Sequence, residues 1–232
     1  NSLVYEHIIL SIITIGVVAK SQGNPVFQAA RVGAQDAAKE LSAKHGMDIR
    51  IDWRTPNEED AQKQAEAIEQ LVLAGAEGLA VSCSDANKLT DSINRAVDNG
   101  VPVATFDSDA PASKRFVTYG VDDIDCGKQT MAELAKVMNG KGVVAILAGN
   151  PNAPNLQKRV QGAKEVAARF PGITIRDVYY HKETPQDSAA KVEQVNDLVL
   201  KALSDNRELI NLKSDLSKAT PEIQVRPDPN KA

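Results

Sequence analysis

Ile12-Ile13-Thr14-Ile15-Gly16-Val17-Val18-Ala19, then Lys20-Ser21-Gln22-Gly23-Asn24, then Pro25 to Leu41, is the stretch whose reading decides the fold. Its first part is a continuous apolar, β-branched run of strand length, the pattern of a strand buried on both faces of a parallel sheet. The middle is a short polar turn with one glycine. In the last part Phe27, Ala30, Ala34, Ala37 or Ala38, and Leu41 recur at helical spacing. Asn24 suits an N-cap, and Pro25 stands at the first helical position, where its missing N–H is harmless. The unit is strand, turn, helix. In open parallel sheets ligands bind at the carboxyl ends of the strands, so the Gln22–Phe27 turn is the first place to look for a site.

Working outward, Asp48–Arg54 alternates as a second strand. Thr55-Pro56-Asn57-Glu58 reads as a capping box opening a helix that presents Ala61, Ala65, Ile68 and Val72 and stops at Gly75. Gly78–Ser82 is a third strand. Ser84 or Asp85 caps a helix carrying Leu89, Ile93 and Val97, and Val101–Phe106 is a fourth strand ending in Asp107-Ser108-Asp109. This is a parallel α/β layer with helices on both faces. The pattern then restarts: strand Phe116–Tyr119, a helix from Asp122 or Asp123 to Asn139, strand Gly142–Ala148, a polar turn, helix Leu156–Phe170, strand Ile173–Tyr180, and a helix opened by Thr184-Pro185-Gln186-Asp187 that runs to about Leu203. Arg31-Val32-Gly33-Ala34 answers to Arg159-Val160-Gln161-Gly162-Ala163, and Thr55-Pro56 to Thr184-Pro185. The fold class expected is therefore α/β: two similar Rossmann-like lobes, residues 1–110 and 111–204, the second incomplete, with a cleft between them suited to a small ligand. Residues 205–232 read as a polar tail in which Leu209–Leu212 and Glu222–Arg226 are weak strand candidates. Residues 1–11 read as a lengthened first strand or a foreign extension.

Composition narrows the function. A net charge of −4 argues against a nucleic-acid or anionic-membrane surface. Cys83 and Cys126 have no CxxC spacing, which leaves one disulfide or two free thiols open and gives no metal or redox motif. Ile8–Ala19 is too short to span a bilayer and has no basic flank, so its end reads as a strand rather than a signal peptide. His7, His45 and His181 are isolated. In Asp122-Asp123-Ile124-Asp125-Cys126-Gly127, Ile124 and Cys126 stand where a calcium loop needs oxygen, and the acids suit a helix start instead. There is no GxSxG, no GxGxxG and no phosphate loop, so no enzyme, no cofactor and no metal site is expected.

The chain resembles the ligand-binding proteins of sugar-type ABC transporters, the ribose- and galactose-binding group with the type 1 periplasmic-binding fold. The resemblance runs from about Thr14 to Asp197. It rests on Gln22-Gly23-Asn24-Pro25-Val26-Phe27, on Ala61-Gln62-Lys63-Gln64-Ala65 with Gly75-Ala76-Glu77-Gly78, on Val101-Pro102-Val103 before Asp107, and on Asn150–Gly162, in order and with the right gaps. It implies two hinged lobes, a sugar or sugar-like polar ligand in the cleft, an ABC permease as partner, and a periplasmic or extracellular location. The family's later second-lobe elements have no match after Leu198, which reads as truncation, frameshift or chimera. An incomplete sheet leaves an open edge through which a homodimer can form.

On that resemblance the ligand-binding residues are Asn24, Phe27, Asp107, Ser108, Asn155 and Gln157. Each has a plainer role beside it. Asn24 is a helix cap, Phe27 a core residue, Asp107 a solvated turn acid and Asn155 a cap. Ser108 stands where ribose binders carry Arg, and Val26 where relatives often carry a second aromatic. Arg159 reads as structural, Ser84 and Asp85 as caps, and Trp53 as lobe packing or cleft wall. Two rival readings are a non-binding fragment of such a protein and the effector-binding domain of a lactose-repressor-type regulator.

Overall fold

The computed structural model describes residues 12–204. The expectations for residues 1–11 and 205–232 lie outside the described residues. The elements are β1 (Ile12–Val18), α1 (Pro25–His45), β2 (Asp48–Trp53), α2 (Ala61–Leu73), β3 (Gly78–Val81), α3 (Ala86–Asp98), β4 (Val103–Phe106), β5 (Val117–Tyr119), α4 (Asp123–Val137), β6 (Lys141–Ala148), α5 (Pro154–Ala167), β7 (Gly172–Tyr180) and α6 (Pro185–Ser204). The first five strands form one parallel sheet in the order β2-β1-β3-β4-β5, and β6 pairs in parallel with β7 in a second sheet. The alternation of strand and helix over the chain thus yields the α/β fold expected.

β1 is an interior strand of the sheet, as its apolar carboxyl half requires. Val17, Val18 and Ala19 are buried, and β1 pairs β2 on one side and β3 on the other. The largest core cluster packs Val18, Leu79, Val81 and Val103 of the sheet against Ile68 and Leu71 of α2 and Leu89 and Ile93 of α3. A second cluster joins Met131 and Ala135 of α4, Val166 of α5, Val144 of β6 and Ile173 of β7. Each is a separate hydrophobic core of the kind that holds an α/β layer together.

Most helix starts follow local chemistry. The Asn24 side chain accepts from the Val26 N–H at 3.0 Å, and Pro25 opens α1 as expected. Asp85, not Ser84, caps α3, and Asp122 caps α4. Two starts differ: α5 opens at Pro154 after Ala153, whose methyl side chain cannot cap, so Asn155 lies inside the helix and is not its cap, and α2 departs further. The expected capping box at Thr55–Glu58 does not form, and the helix begins six residues after Thr55, capped by Asp60 through the Gln62 and Lys63 N–H groups. The reason is that the Thr55 hydroxyl is taken: buried, it accepts from the Ala19 N–H at 2.9 Å. Gln22 fastens the same loop by bonding the Thr55 and Pro56 carbonyls. The buried face of α2 also turns by a residue from that expected, to Gln64, Ala67, Ile68 and Leu71.

A second correction concerns β5. The strand expected to open the second half instead pairs with β4 at the edge of the first sheet, in the register Ala104↔Val117 to Phe106↔Tyr119. The second half then begins with α4. There α4 and α5 cross closely at two glycines: a Cβ on Gly127 would strike the Arg159 carbonyl, and one on Gly162 the Ile124 carbonyl. Arg159 donates to Asp123 at 2.8 Å across the same pair, the structural role expected of it. Gly33, the counterpart of Gly162 in the sequence, has open space around it, so the likeness of the two halves does not extend to this packing.

Candidate functional site

Parallel strands send their following loops to one end of the sheet, and here those loops from both halves meet. From the first sheet come Lys20 and Ser21 after β1, Thr55–Asp60 after β2, Ser82–Asp85 after β3 and Asp107–Ala110 after β4. From the second come Asn150 after β6 and His181–Thr184 after β7.

Gln64 organises the first set. It is fully buried on α2. Its Nε2 donates to the Ala19 carbonyl at 2.9 Å and the Ser82 carbonyl at 2.8 Å, and its Oε1 accepts from the Ser84 N–H at 3.0 Å and from the Ser84 hydroxyl. A buried amide is stable in such a place only when its donors and acceptors are matched, as these are. One side chain thereby holds the ends of β1 and β3 in place.

Asp107 is held as firmly. It sits in the left-handed region at φ 58°, which a short polar side chain tolerates better than a branched one. Its N–H donates to the Tyr119 carbonyl and the Ser108 N–H to the Phe106 carbonyl, fixing a tight turn. Its carboxylate accepts from the Ser82 hydroxyl at 2.9 Å and, across the halves, from Asn155 Nδ2 at 3.2 Å. Next to it, Asp109 is partly buried, which by itself would raise its pKa. Bonds from the Arg115 guanidinium and the Thr105 hydroxyl outweigh burial and hold it below the ordinary carboxylate value.

Between the loops lies Lys20, whose side chain is 3% exposed. Its Nζ stands 3.6 Å from Glu59 and 3.9 Å from Asp107 of the first half, and 3.7 Å from Glu183 of the second. It also lies 5.9 Å from the centroid of the Phe27 ring. A buried ammonium needs such partners to offset its lost hydration. Asn150 adds a second tie, donating to Glu59 Oε2 at 3.0 Å and to the Ser84 carbonyl at 3.1 Å, while its own N–H donates to Glu183.

The expected residues fall into two groups. Asp107 and Asn155 are brought together across the halves. Gln157 is half-buried in α5 and accepts from the Tyr180 hydroxyl, with its Nε2 unpartnered. Asn24 is half-buried and engaged as a cap. Phe27 is 2% exposed and turned inward beneath Lys20. Ser108 is wholly enclosed, with its hydroxyl unpartnered. Lys20, Gln64, Glu59, Asn150 and Glu183 were missed. A charged residue ending an apolar strand was the signal for Lys20, and a polar residue on the core face of α2 the signal for Gln64.

A cleft of about 560 Å³ opens beside this network, lined from both halves by Glu58, Glu59, Asn150, Tyr180, His181 and Asp187 among others. Smaller hollows of about 210 and 120 Å³ flank Ser21 with Glu183 and Asp107 with Asn155. A groove of about 320 Å³ between α2 and α3 contains none of the site residues. The cysteines are free thiols, and burial pushes that of Cys83 up to about 12. Among the described residues no group of three or more His, Cys, Asp or Glu side chains is arranged to hold a metal ion, and no helix is long and apolar enough to cross a membrane.

Residues 15–211 match the family model described as periplasmic binding protein domain, and the chain belongs to that family. It is a family of sugar-binding proteins rather than enzymes. The ribose import binding protein RbsB of Bacillus subtilis is 28% identical over 154 residues, covering 66% of this chain and 48% of the relative. The D-ribose/D-allose-binding protein of Pseudomonas aeruginosa is 26% identical over 157 residues, covering 65% and 48%. Among solved structures, a solute-binding protein of Burkholderia graminis in complex with D-arabinose is 28% identical with a TM-score of 0.72, covering 83% of this chain and 63% of that one. GanP, a glucose-galactose binding protein of Geobacillus stearothermophilus, is 26% identical with a TM-score of 0.73, covering 81% and 65%. The chain spans about half the length of the curated relatives it matches.

Proposed function

We propose that the chain binds a sugar or sugar-like polyol between two α/β lobes, the first carrying β1 to β5 and the second β6 and β7, as the solute-binding component of an ABC uptake system working in the periplasm or at the cell exterior. The observation that carries this reading is the hydrogen bond between Asp107 and Asn155, which sets a fixed carboxylate from one half against an amide from the other. A sugar presents hydroxyls that each need a partner on burial. A carboxylate accepts from two of them at once, and an amide both donates and accepts. Gln157, whose Nε2 has no partner, supplies a further donor. Asn24 and Phe27 lie at the start of α1, the Phe27 ring enclosed with the Lys20 ammonium 5.9 Å from its centroid. In this reading the carbohydrate-named relatives share the chemistry, not the identity of the sugar.

The test is thermal melting of the full chain against pentoses, hexoses and polyols. A ligand at 100 times its dissociation constant adds about 2.7 kcal/mol, which reads as a clear rise in melting temperature. A rise with one or two sugars supports the reading. A cooperative melt unmoved by every sugar overturns it.

A further inference from the structure

We infer that Glu59 and Glu183 form a proton-operated latch across the cleft: the two halves close with a proton taken up at Glu59, where it meets the Lys20 and Asn150 that also hold Glu183. The chain passes from the first half to the second just after β5, at one edge of the first sheet. Glu59 lies on the loop after β2, which is the opposite edge strand. The latch therefore holds the side of the cleft farthest from the crossing, where a closing motion is largest.

The charges around Lys20 do not balance. One buried ammonium faces three carboxylates, Glu59, Asp107 and Glu183, at 3.6 to 3.9 Å. Asp107 has the Ser82 hydroxyl and the Asn155 amide besides, and Glu183 has the Asn150 N–H. Glu59 has Asn150 on Oε2, while its Oε1 is buried with no hydrogen-bond partner among the described residues. That Oε1 lies 3.6 Å from Lys20 Nζ, and a proton on Glu59 removes one of the three negative charges gathered about the single ammonium. Two carboxylates gathered about one ammonium and one asparagine in a poorly hydrated place resist joint ionisation, and Glu59, with one oxygen lacking a hydrogen-bond donor, takes the proton.

The groups facing Glu59 are Lys20 from the β1 loop, Asn150 from the β6 loop and Glu183 from the β7 loop. Farther out, Glu58, His181, Lys182, Asp187 and Lys191 line the open cleft. Burial pushes the Glu59 carboxyl up, the Lys20 ammonium pulls it down, and Glu183 pushes it up again. The balance lies above the ordinary value. Opening the cleft separates Glu59 from Glu183 and rehydrates both. The closed form thus binds the proton more tightly, and closure is favoured as pH falls. The gain is complete below the ordinary carboxylate pKa and is lost as pH rises through the raised one. If the sugar is held in this cleft, which is the reading proposed above, its affinity rises on acidification by up to about tenfold per pH unit for one linked proton.

The latch is testable without any sugar, by a carboxyl carbon NMR titration of the full ligand-free chain. Glu59 is expected to titrate above the ordinary carboxylate value, and Glu183→Gln, a change in the other half, is expected to move the Glu59 midpoint down. Glu59 titrating at the ordinary carboxylate value, or a Glu59 midpoint indifferent to Glu183→Gln, overturns the latch. Small-angle scattering reads the same device through a different variant. The unaltered chain is expected to contract as pH falls through the Glu59 midpoint and Glu59→Gln to keep one radius throughout, whereas equal contraction in both overturns it. Failure of the sugar panel with a shifted Glu59 would strike only the proposed function. Sugar binding with an ordinary Glu59 would strike only the latch.

Discussion

Gln64 lies on a helix yet its role is in the loops. Four hydrogen bonds from one enclosed amide fasten the strand ends that carry Lys20, Ser82 and Ser84. Gln64→Leu keeps the approximate volume and removes every one of those bonds, leaving the Ala19 and Ser82 carbonyls and the Ser84 N–H without their partner. Each buried group so stranded costs about 1–3 kcal/mol, so a loss of at least ~2 kcal/mol in unfolding free energy is expected by urea titration, together with weaker sugar binding as the loops loosen. Residues of this kind were hard to read beforehand. Asn24 was legible as a cap because its partner, Val26, is two residues away. Glu59, Asn150 and Glu183 find theirs across the fold, at separations no local pattern records. Asp107 was a site candidate only through the family resemblance, and the left-handed turn that holds it was not legible at all.

Among elements, the strands and helices were readable wherever the pattern was local: an apolar run, a cap, a glycine stop. Two readings failed for physical reasons that lie outside that pattern. Thr55 has the chemistry of a cap, but a buried N–H of Ala19 competes for its hydroxyl and wins, and the cap passes to Asp60. β5 has the length and composition to belong to either sheet, and only its pairing with β4 decides. The α4–α5 crossing is the sharpest packing constraint in the second half. Gly162→Ala places a methyl against the Ile124 carbonyl, where backbone and not a flexible side chain must yield. Overpacking of this kind costs about 1–3 kcal/mol or more. The second core, which joins α4 and α5 to β6 and β7, is expected to loosen first, read as faster amide exchange in Met131 and Val166 than in Ile68 and Leu89 of the first core. Gly33→Ala, with open space around it, is the control expected to leave both cores as they are.

At the level of the whole molecule, the two halves touch through polar and charged groups: Lys20 with Glu183, Asn150 with Glu59 and Ser84, and Asn155 with Asp107. A polar seam of that kind separates more readily than an apolar one, and each group in it can trade its present partner for water or for a hydroxyl of a ligand. That is what the proposed binding cleft requires if it is to open and close by hinge motion. It also explains why the fold was read more fully than the site. The fold follows from burial patterns repeated over many residues, while the site consists of single polar residues whose meaning appears only when the loops are brought together. The most direct measurement is calorimetric titration of the full chain with the sugar that raises its melting temperature most, beside the same titration of Asp107→Asn. The account predicts one ligand per chain for the unaltered protein and about a tenfold or greater loss of affinity in the variant, the equivalent of a charge-assisted hydrogen bond, with cooperative melting retained. No binding by any sugar of the panel, or equal affinity in a folded Asp107→Asn, would contradict it.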